Sequence, residues 1–563
     1  MALGRQAIHA LQVLEEHHRK AAVNFRAYRE AFETLARRVQ ENAEPSLRLP
    51  DYSLAKLGRQ HLLDYHLRHT TFVGRQAEME QLWQFVNSQP DEPCLWWMVT
   101  GPGGMGKSRL AFEFCREMRG LSYHVGFLEK SDLNGGFIHG WSHWRPSRPT
   151  VLVVDYVAGY AKDVLTMLGE LSRSAAASHL PNRVRVLLLE RETRDDWWGS
   201  FETDADVAIS RYGTNALPLL DLPRFDRDRL WGIIEEVYGK ESGGKAITAD
   251  KEQTLDKLME LDTDGRPLFA FLVALALATH NDIRTWNVDQ LLDNLLRRYE
   301  EKIWSQFEDY SHIGPVHKNL LMLATLGRGI EDDKLDQLYA HAPDGSLPTP
   351  AINDGLYNRM AHITKNEEAQ ISYDGLQPDL VGEYFVLRRL TEILQQRPHG
   401  KKLAEKLLEA VWVVKPENVK WMYEMAVEDF YPLFEQTAIP LLTQTTPPIG
   451  LSATHQFYWT QLHYNLAHPS SRIFNKEPHY KVLKVETGSP KDLSIASIQA
   501  MGAFNLATYY GGNGNFVKAE IKYQHLQELV SQFKNYLAIA LIQAKSAVTL
   551  INFYGKAKLD FSF

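Results

Sequence analysis

The sequence predicts an α/β domain with a parallel sheet covered by helices on both faces, followed by regions that are almost wholly helical. Apolar segments of strand length occur at 94–100, 123–128, 151–154 and 184–189. Helical stretches, such as 108–118 and 161–174, lie between them, and strands that alternate with helices pair in parallel. After Phe225 the pattern is helical almost throughout, apart from a strand-like piece at 369–373.

The composition is that of a soluble globular protein. The chain has 563 residues, of which 44% are hydrophobic and 23% charged, and this length predicts about three to five structural units. The formal net charge is -8 without a long block of Lys and Arg, so no general nucleic-acid binding is indicated.

Cysteine content and hydropathy predict a cytoplasmic location without membrane contact. Cys94 and Cys115 are the two cysteines of the sequence, which excludes a disulfide framework and a four-cysteine zinc site. The first ten residues lack the apolar core of a secretory signal. The most apolar run, 267–279, is too short to span a bilayer and predicts a buried helix.

One motif carries the chemistry of the first domain. Residues 101–108 (GPGGMGKS) match G-x-x-x-x-G-K-[ST] between a predicted strand and a predicted helix. Glycines let backbone N–H groups wrap phosphate oxygens, and the helix directs its positive end at the same anion. The predicted nucleotide-binding residues here are Gly101, Gly103, Gly104, Met105, Gly106, Lys107, Ser108 and Arg109. The sequence thus predicts a P-loop NTPase core that binds ATP or ADP with Mg²⁺.

Three residues are predicted to act on the metal and the phosphates. Lys107 places a charge on the β and γ phosphates, and Ser108 supplies a hydroxyl ligand for Mg²⁺. Asp155 follows the apolar run 151–154, where it can hold Mg²⁺ through water; the alternative is an Asp that only caps the next turn. Ser108 and Asp155 are therefore the predicted metal site, and Lys107 and Asp155 are predicted catalytic residues.

The residues after the two last strands bear on hydrolysis and sensing. Tyr156 stands where a second acid often activates the attacking water, and a phenol is a poor general base. Hydrolysis is expected to be slow unless Glu190 or Glu192 supplies the base. Arg191 is predicted to reach the γ phosphate as a third catalytic residue; the alternative is a surface Arg that caps its strand.

Residues 72–75 (FVGR), with Glu78 and Leu82, lie upstream of the P-loop. They resemble the hhGRxxE-type segment of the STAND family, the signal-transducing NTPases related to the AP-ATPase, NB-ARC and NACHT proteins. The resemblance implies that Val73, Gly74 and Arg75 close over the adenine and that Arg191 is the sensor Arg. It covers roughly residues 70–390.

Two later segments extend the resemblance. Residues 265–267 (GRP) resemble the GxP motif of the helical lid, which implies that Pro267 lies near the nucleotide. Residues 378–381 (PDLV) are similar to the MHD segment of the winged helix, with Pro378 at the position of the nucleotide-touching His.

The two ends of the chain are predicted to be helical. Residues 5–42 form a heptad-like seam, interrupted at His18, which packs either on its own domain or on another chain. The C-terminal stretch contains small residues and turns that are typical of tetratricopeptide repeats, or else forms an ordinary helical domain.

Six regions follow from these patterns and the resemblance. They are an N-terminal helical effector or adaptor region (1–66), a P-loop NTPase domain (67–225), a helical lid domain (226–310), a winged-helix-like domain (311–395), a helical connector (396–495) and TPR-like helical repeats (496–563).

The resemblance implies an ATP/ADP-dependent switch with slow ATPase activity. A trigger ligand or protein would act on the C-terminal helices, and the N-terminal helix would recruit an effector or a second copy in a homo-oligomer. Several families of this kind are prokaryotic and act in defence against phage. The alternatives are an AAA+-like motor that turns over continuously and a STAND-type transcription regulator. Tyr156 and the GxP-like segment favour the switch.

Overall fold

The first sheet of the computed structural model contains six strands. In chain order they are β1 (Leu47–Arg48), β2 (Cys94–Thr100), β3 (His124–Leu128), β4 (Thr150–Asp155), β5 (Val184–Leu189) and β6 (Leu220–Asp221). Their order across the sheet is β1-β3-β4-β5-β2-β6. Every pairing is parallel except that of β1 with β3. The predicted parallel core is confirmed, and a short antiparallel strand adds to one edge.

The structure describes residues 44–49, 62–89, 91–129, 132–133, 140–193, 197–213, 219–280, 282–349, 355–361, 363–365, 371–396, 398–444 and 453–467. These residues divide into two compact units. The first unit contains those of 44–49 and 70–229, and the second contains those of 62–69 and 230–467.

The central strands are buried along almost their whole length, which explains their continuous apolar sequences. Strands covered on both faces need apolar side chains at nearly every position. Trp96 and Trp97 are neighbours in β2 and point to opposite faces, because successive strand side chains alternate. Trp96 contacts Trp198 and Phe201 on one face, and Trp97 contacts Phe85 on the other.

Helices cover both faces of this sheet. They are α1 (Gln76–Asn87), α2 (Lys107–Arg119), α3 (Ala161–Ala176), α4 (Trp198–Thr203) and α5 (Ala205–Ile209). Phe85 of α1 packs on the Trp97 face, whereas α3, α4 and α5 contribute buried residues to the core cluster on the Trp96 face. The predicted arrangement of helices on both faces is confirmed.

The region after β6 is helical, as the sequence predicts. Its helices are α6 (Arg227–Glu241), α7 (Lys251–Leu261), α8 (Pro267–His280) and α9 (Val288–Lys302). Residues 268–277 of α8 are all buried, so this helix is apolar around its whole circumference. Helix α9 begins with a capping box, in which Asn287 and Gln290 each accept a backbone hydrogen bond from the other.

A winged-helix-like arrangement follows in the second unit. Its elements are α10 (Tyr310–Gly327), β7 (Ile330–Glu331), α11 (Asp332–His341), α12 (Gly355–Met360), β8 (Ile363–Lys365), β9 (Ile371–Tyr373) and α13 (Asp379–Leu394). The strands form an antiparallel sheet in the order β7-β9-β8. A three-helix succession closed by a small antiparallel sheet is the winged-helix-like region that the sequence predicts.

The last described elements are helices, which are α14 (Gly400–Val414), α15 (Pro416–Phe434), α16 (Ile439–Leu442) and α17 (Ala453–Ala467). The predicted N-terminal helix at 5–42 and the predicted repeats at 496–563 lie outside the described residues. Nowhere in the described ranges does a helix have the length and apolar character needed to cross a membrane.

Candidate functional site

The glycine-rich loop between β2 and α2 has the backbone conformation that a phosphate cradle needs. Gly106 caps the N-terminus of α2 in the left-handed region, at φ 92°. A Cβ added to Gly106 would meet no atom within 4 Å, so it would project into open space in front of the helix. Backbone N–H groups at a helix N-terminus attract an anion, and a side chain here would occupy the same space.

Lys107 supplies the cation of this loop. Its Nζ donates to the carbonyl oxygens of Gly101 and Pro102, at 2.5 and 3.2 Å. The ammonium group is therefore folded across the mouth of the loop, where it can transfer its donors to phosphate oxygens. Met105 is buried below the loop, at 3% exposure.

Ser108 and Asp155 meet at the carboxyl edge of the sheet. Oγ of Ser108 donates to Oδ2 of Asp155 at 2.7 Å, although the two residues are 47 positions apart in the chain. A hydroxyl and a carboxylate are oxygen ligands of the kind that Mg²⁺ prefers, with phosphates and waters completing its coordination. Among the described residues no cluster of three or more His, Cys, Asp and Glu can hold a metal. Because both side chains offer oxygen ligands, Ser108 and Asp155 fit a magnesium ion whose other ligands are phosphates and waters.

Arg191 lies directly against the P-loop. A Cβ added to Gly103 would come within 3.0 Å of Cζ of Arg191, so the guanidinium group covers this glycine. The carbonyl oxygen of Arg191 also accepts the N–H of Gly101 at 3.0 Å. The end of β5 is thus joined to the loop through backbone and side chain, and the contact of Arg191 with the γ phosphate stays a prediction.

Glu190 has a position that sequence reasoning did not anticipate. Its side chain is buried, with 2% of the residue exposed. The N–H of Ala158 donates to its Oε2 and the N–H of Arg191 to its Oε1, both at 2.7 Å. Both carboxylate oxygens accept backbone N–H groups, so Glu190 anchors the turn after β4 to the end of β5, and the role of general base considered from the sequence stays a prediction. The signal available beforehand was its place between the apolar run at 186–189 and Arg191.

Tyr156 marks a sharp turn after β4. Its φ of 63° lies in the left-handed region, which is uncommon for a residue other than glycine. Its N–H donates to the carbonyl oxygen of Leu189 at 3.0 Å, and a 3-10 turn at Val157–Tyr160 follows. The turn carries the chain away from Asp155 immediately, so the aromatic side chain follows the carboxylate where a second acid often stands.

Arg75 lies in the same unit as the P-loop and supports it with hydrogen bonds. Its Nη1 donates to the carbonyl oxygen of Pro223 at 2.8 Å and its Nη2 to that of Met105 at 3.0 Å. The guanidinium carbon lies 4.4 Å from the centre of the Phe225 ring, and burial lowers the pKa of Arg75, partly offset by Glu78. These donors are directed at backbone carbonyls of the loop and of the segment after β6. The adenine contact that the resemblance implies for this residue stays a prediction.

The neighbours of Arg75 differ in exposure. Val73 is an apolar residue of which 37% is exposed. Gly74 has φ 74°, and a Cβ there would come within 2.8 Å of Cδ of Arg229. Their roles toward adenine stay predictions of the resemblance. Arg109, predicted from the motif, donates from Nη2 to the carbonyl oxygen of Thr70 at 3.0 Å and so joins α2 to the same segment.

The GxP-like segment lies in the second unit, at the start of α8. The backbone N–H and Nε of Arg266 both donate to Asp262, at 2.6 and 2.8 Å, and its guanidinium lies over the ring of Phe269. Burial raises the pKa of Asp262, and Arg266 opposes that shift. Pro267 is the first residue of α8. The segment is a rigid helix start, and the nucleotide contact implied for Pro267 stays a prediction.

The segment around Pro378 also begins a helix. Pro378 is the N-cap of α13, and Asp379 is buried with Oδ2 lacking a hydrogen-bond partner. Pro378 thus directly precedes α13, and its correspondence to the nucleotide-touching His of the MHD segment stays a prediction of the resemblance.

Comparisons with known proteins identify P-loop ATPases among solved structures. No protein-family model matches the chain, and no curated protein matches it. A signal transduction ATPase with numerous domains and a tetratricopeptide repeat sensor, from Pyrococcus horikoshii, is 14% identical, with 86% of this chain and 68% of that chain covered and a TM-score of 0.26.

Two further structures extend the comparison. The Orc1 protein of Aeropyrum pernix in complex with DNA is 13% identical over 59% of this chain and 96% of that chain, with a TM-score of 0.31. The RuvB Holliday junction branch migration motor of Thermotoga maritima is 14% identical over 53% and 92%, with a TM-score of 0.26. Similarity at this level carries no functional argument. The fold is that of a P-loop NTPase, as its own sheet order and loop establish.

Proposed function

We propose that this protein binds ATP or ADP with Mg²⁺ and uses the difference between them as a conformational switch. The observation that carries the proposal is the 2.7 Å hydrogen bond from Ser108 to Asp155. It brings a hydroxyl and a carboxylate together beside the glycine loop, with Lys107 at the mouth and Arg191 over Gly103. One unit thus contains a group for each part of the ligand: Lys107 for the phosphates, Ser108 with Asp155 for magnesium, and Arg191 for the terminal phosphate.

The residues around the site favour a switch over a continuously working motor. Tyr156 follows Asp155 directly, and a phenol with an ordinary pKa near 10 is a poor base for activating water. Glu190 has both oxygens committed to backbone N–H groups. Slow hydrolysis lets the bound nucleotide define a state for as long as it remains bound.

The partners of the switch are part of the same proposal. A trigger ligand or protein acts on the C-terminal helices, and the N-terminal helix at 5–42 recruits an effector or a second copy. These roles, homo-oligomerisation, a cytoplasmic location and a part in defence against phage are supported by the sequence patterns and the STAND resemblance. Survival of cells that express the protein, compared with an Asp155→Asn variant under phage challenge, tests the defence role.

The test of the core proposal is nucleotide binding by the full chain. Calorimetric titration with ADP and with a non-hydrolysable ATP analogue, each with and without Mg²⁺, is expected to show binding that Mg²⁺ strengthens. Light scattering of the same samples is expected to show a larger particle with the ATP analogue than with ADP. Absence of nucleotide binding contradicts the site. Binding combined with rapid continuous turnover and no change of assembly favours the AAA+-like motor.

A further inference from the structure

Glu190 connects the two strand ends that carry the proposed metal ligand and the proposed phosphate contact. Its Oε2 accepts the N–H of Ala158, three residues after Asp155, and its Oε1 accepts the N–H of Arg191. Its own N–H donates to Val99 at the end of β2, at 3.0 Å. One residue therefore holds the ends of β2, β4 and β5 in a fixed relation.

The connection continues into the P-loop. The carbonyl oxygen of Arg191 accepts the N–H of Gly101, and the guanidinium group of Arg191 covers Gly103. A carboxylate that accepts two N–H bonds forms charge-assisted hydrogen bonds, which are shorter and stronger than neutral ones. Burial at 2% exposure keeps water from replacing either donor. The turn after Asp155 is thus joined through Glu190 to Arg191 and the loop by a continuous series of contacts.

We propose that Glu190 is a positioning residue that sets how strongly this site prefers a nucleoside triphosphate over a diphosphate. It acts through Arg191, whose backbone it fixes relative to the turn that follows Asp155. The inference rests on the proposed function, since it needs a nucleotide in the P-loop. Glu190 touches no phosphate itself; it holds in place the arginine that does.

Substitutions at Glu190 separate this role from general stability. Glu190→Gln keeps the size of the side chain, but a carboxamide offers one acceptor oxygen, and its NH₂ group would face an N–H donor. Glu190→Asp keeps the charge and is one methylene shorter, so it cannot reach both N–H groups. In either variant one of the two anchors is lost while the buried volume changes little.

The expected result is a selective loss. Either variant weakens the hydrogen bonds that hold the backbone of Arg191 relative to the turn after Asp155. This loss is expected to weaken binding of the ATP analogue about tenfold relative to ADP. ADP affinity is expected to stay near that of the wild type, because the loop and Lys107 are intact. Glu202→Gln, an exposed carboxylate in the same unit, is the matched control and is expected to leave the affinity ratio unchanged.

The experiment is a double-mutant cycle on the full chain. Wild type, Glu190→Gln, Arg191→Ala and the double variant are titrated with Mg²⁺-ADP and with a Mg²⁺-bound non-hydrolysable ATP analogue. If Glu190 acts through Arg191, the ratio in the double variant equals that of Arg191→Ala alone, because the effects of coupled residues do not add. Glu190→Asp enters the cycle if Glu190→Gln does not fold.

Three outcomes overturn the inference. Equal weakening of both nucleotides by the Glu190 variants assigns it a structural role only, and additive effects with Arg191→Ala separate it from the arginine. An unchanged affinity ratio in both Glu190 variants excludes any positioning role. A wild type that binds no nucleotide overturns the proposed function first, and this result is distinct from the other three.

Discussion

Nη2 of Arg75 donates to the carbonyl oxygen of Met105 at 3.0 Å, inside the P-loop itself. The same guanidinium group holds the carbonyl oxygen of Pro223 at 2.8 Å. The loop that cradles phosphate is therefore supported by an arginine 30 residues earlier in the chain, which also secures the segment after β6. The conformation of the loop therefore depends on Arg75, the residue for which the resemblance implies a contact with the adenine.

Arg75→Ala is expected to destabilise the protein even when no nucleotide is present. Loss of a buried guanidinium leaves two carbonyl groups without donors, which corresponds to about 1–3 kcal/mol per unsatisfied group. Thermal unfolding of the nucleotide-free chain measures this directly, with the more exposed Arg116→Ala as the control. An unfolding temperature equal to that of wild type would show that Arg75 serves the ligand alone.

Lys107→Ala is expected to abolish tight nucleotide binding while leaving the fold intact. The substitution removes the cation at the mouth of the loop, where Nζ of Lys107 donates to the carbonyl oxygens of Gly101 and Pro102. Calorimetric titration with ADP and circular dichroism check the two parts. Lys162→Ala, an exposed lysine of α3, is expected to bind as the wild type does. Unchanged affinity in Lys107→Ala would refute the P-loop assignment.

Asp155→Asn is expected to remove most of the strengthening of ATP-analogue binding by Mg²⁺. The amide keeps the hydrogen bond that Ser108 donates, because its oxygen still accepts, but loses the charge that holds the cation. The measurement is the ratio of affinities with Mg²⁺ and with a chelator. A ratio equal to that of the wild type would show that Asp155 only caps the following turn.

Basal ATP hydrolysis is expected to be slower than the roughly 1 s⁻¹ low end of typical enzyme turnover. Tyr156→Glu is expected to raise it, since the new carboxylate follows Asp155 where an acid can activate water. Tyr156→Gln has nearly the same size without a base and controls for loss of the ring. Phosphate release measures all three. Equal rates for the Glu and Gln variants would show that this position does not limit hydrolysis.

Deletion of residues 1–42 is expected to preserve nucleotide binding and to abolish effector recruitment or assembly. The heptad-like seam predicts a surface that needs a partner, because isolated helices gain most of their stability from packing. Calorimetry and light scattering with the ATP analogue are the paired measurements. Loss of nucleotide binding together with misfolding would identify the helix as part of the core.

The sequence by itself determined the elements whose signal is local. Strands β2, β4 and β5 are buried on both faces, so each is apolar at most of its positions, and their positions were predicted to within a residue at each end. The residues of the P-loop are contiguous in the chain, so its motif could be identified without knowledge of the fold. The two-residue strands β1 and β6 were missed, since they are too short to carry a pattern.

Only the tertiary structure decided which distant residues meet. The order β4-β5-β2 brings the ends of three strands to one edge, and this order sets the contact of Ser108 with Asp155. The same order lets Oε2 of Glu190 accept the N–H of Ala158, an anchoring contact that the sequence did not predict. The direction of the Arg75 donors depends on where Met105 and Pro223 lie in space. Such contacts are set by strand order and packing, which no spacing along the chain encodes.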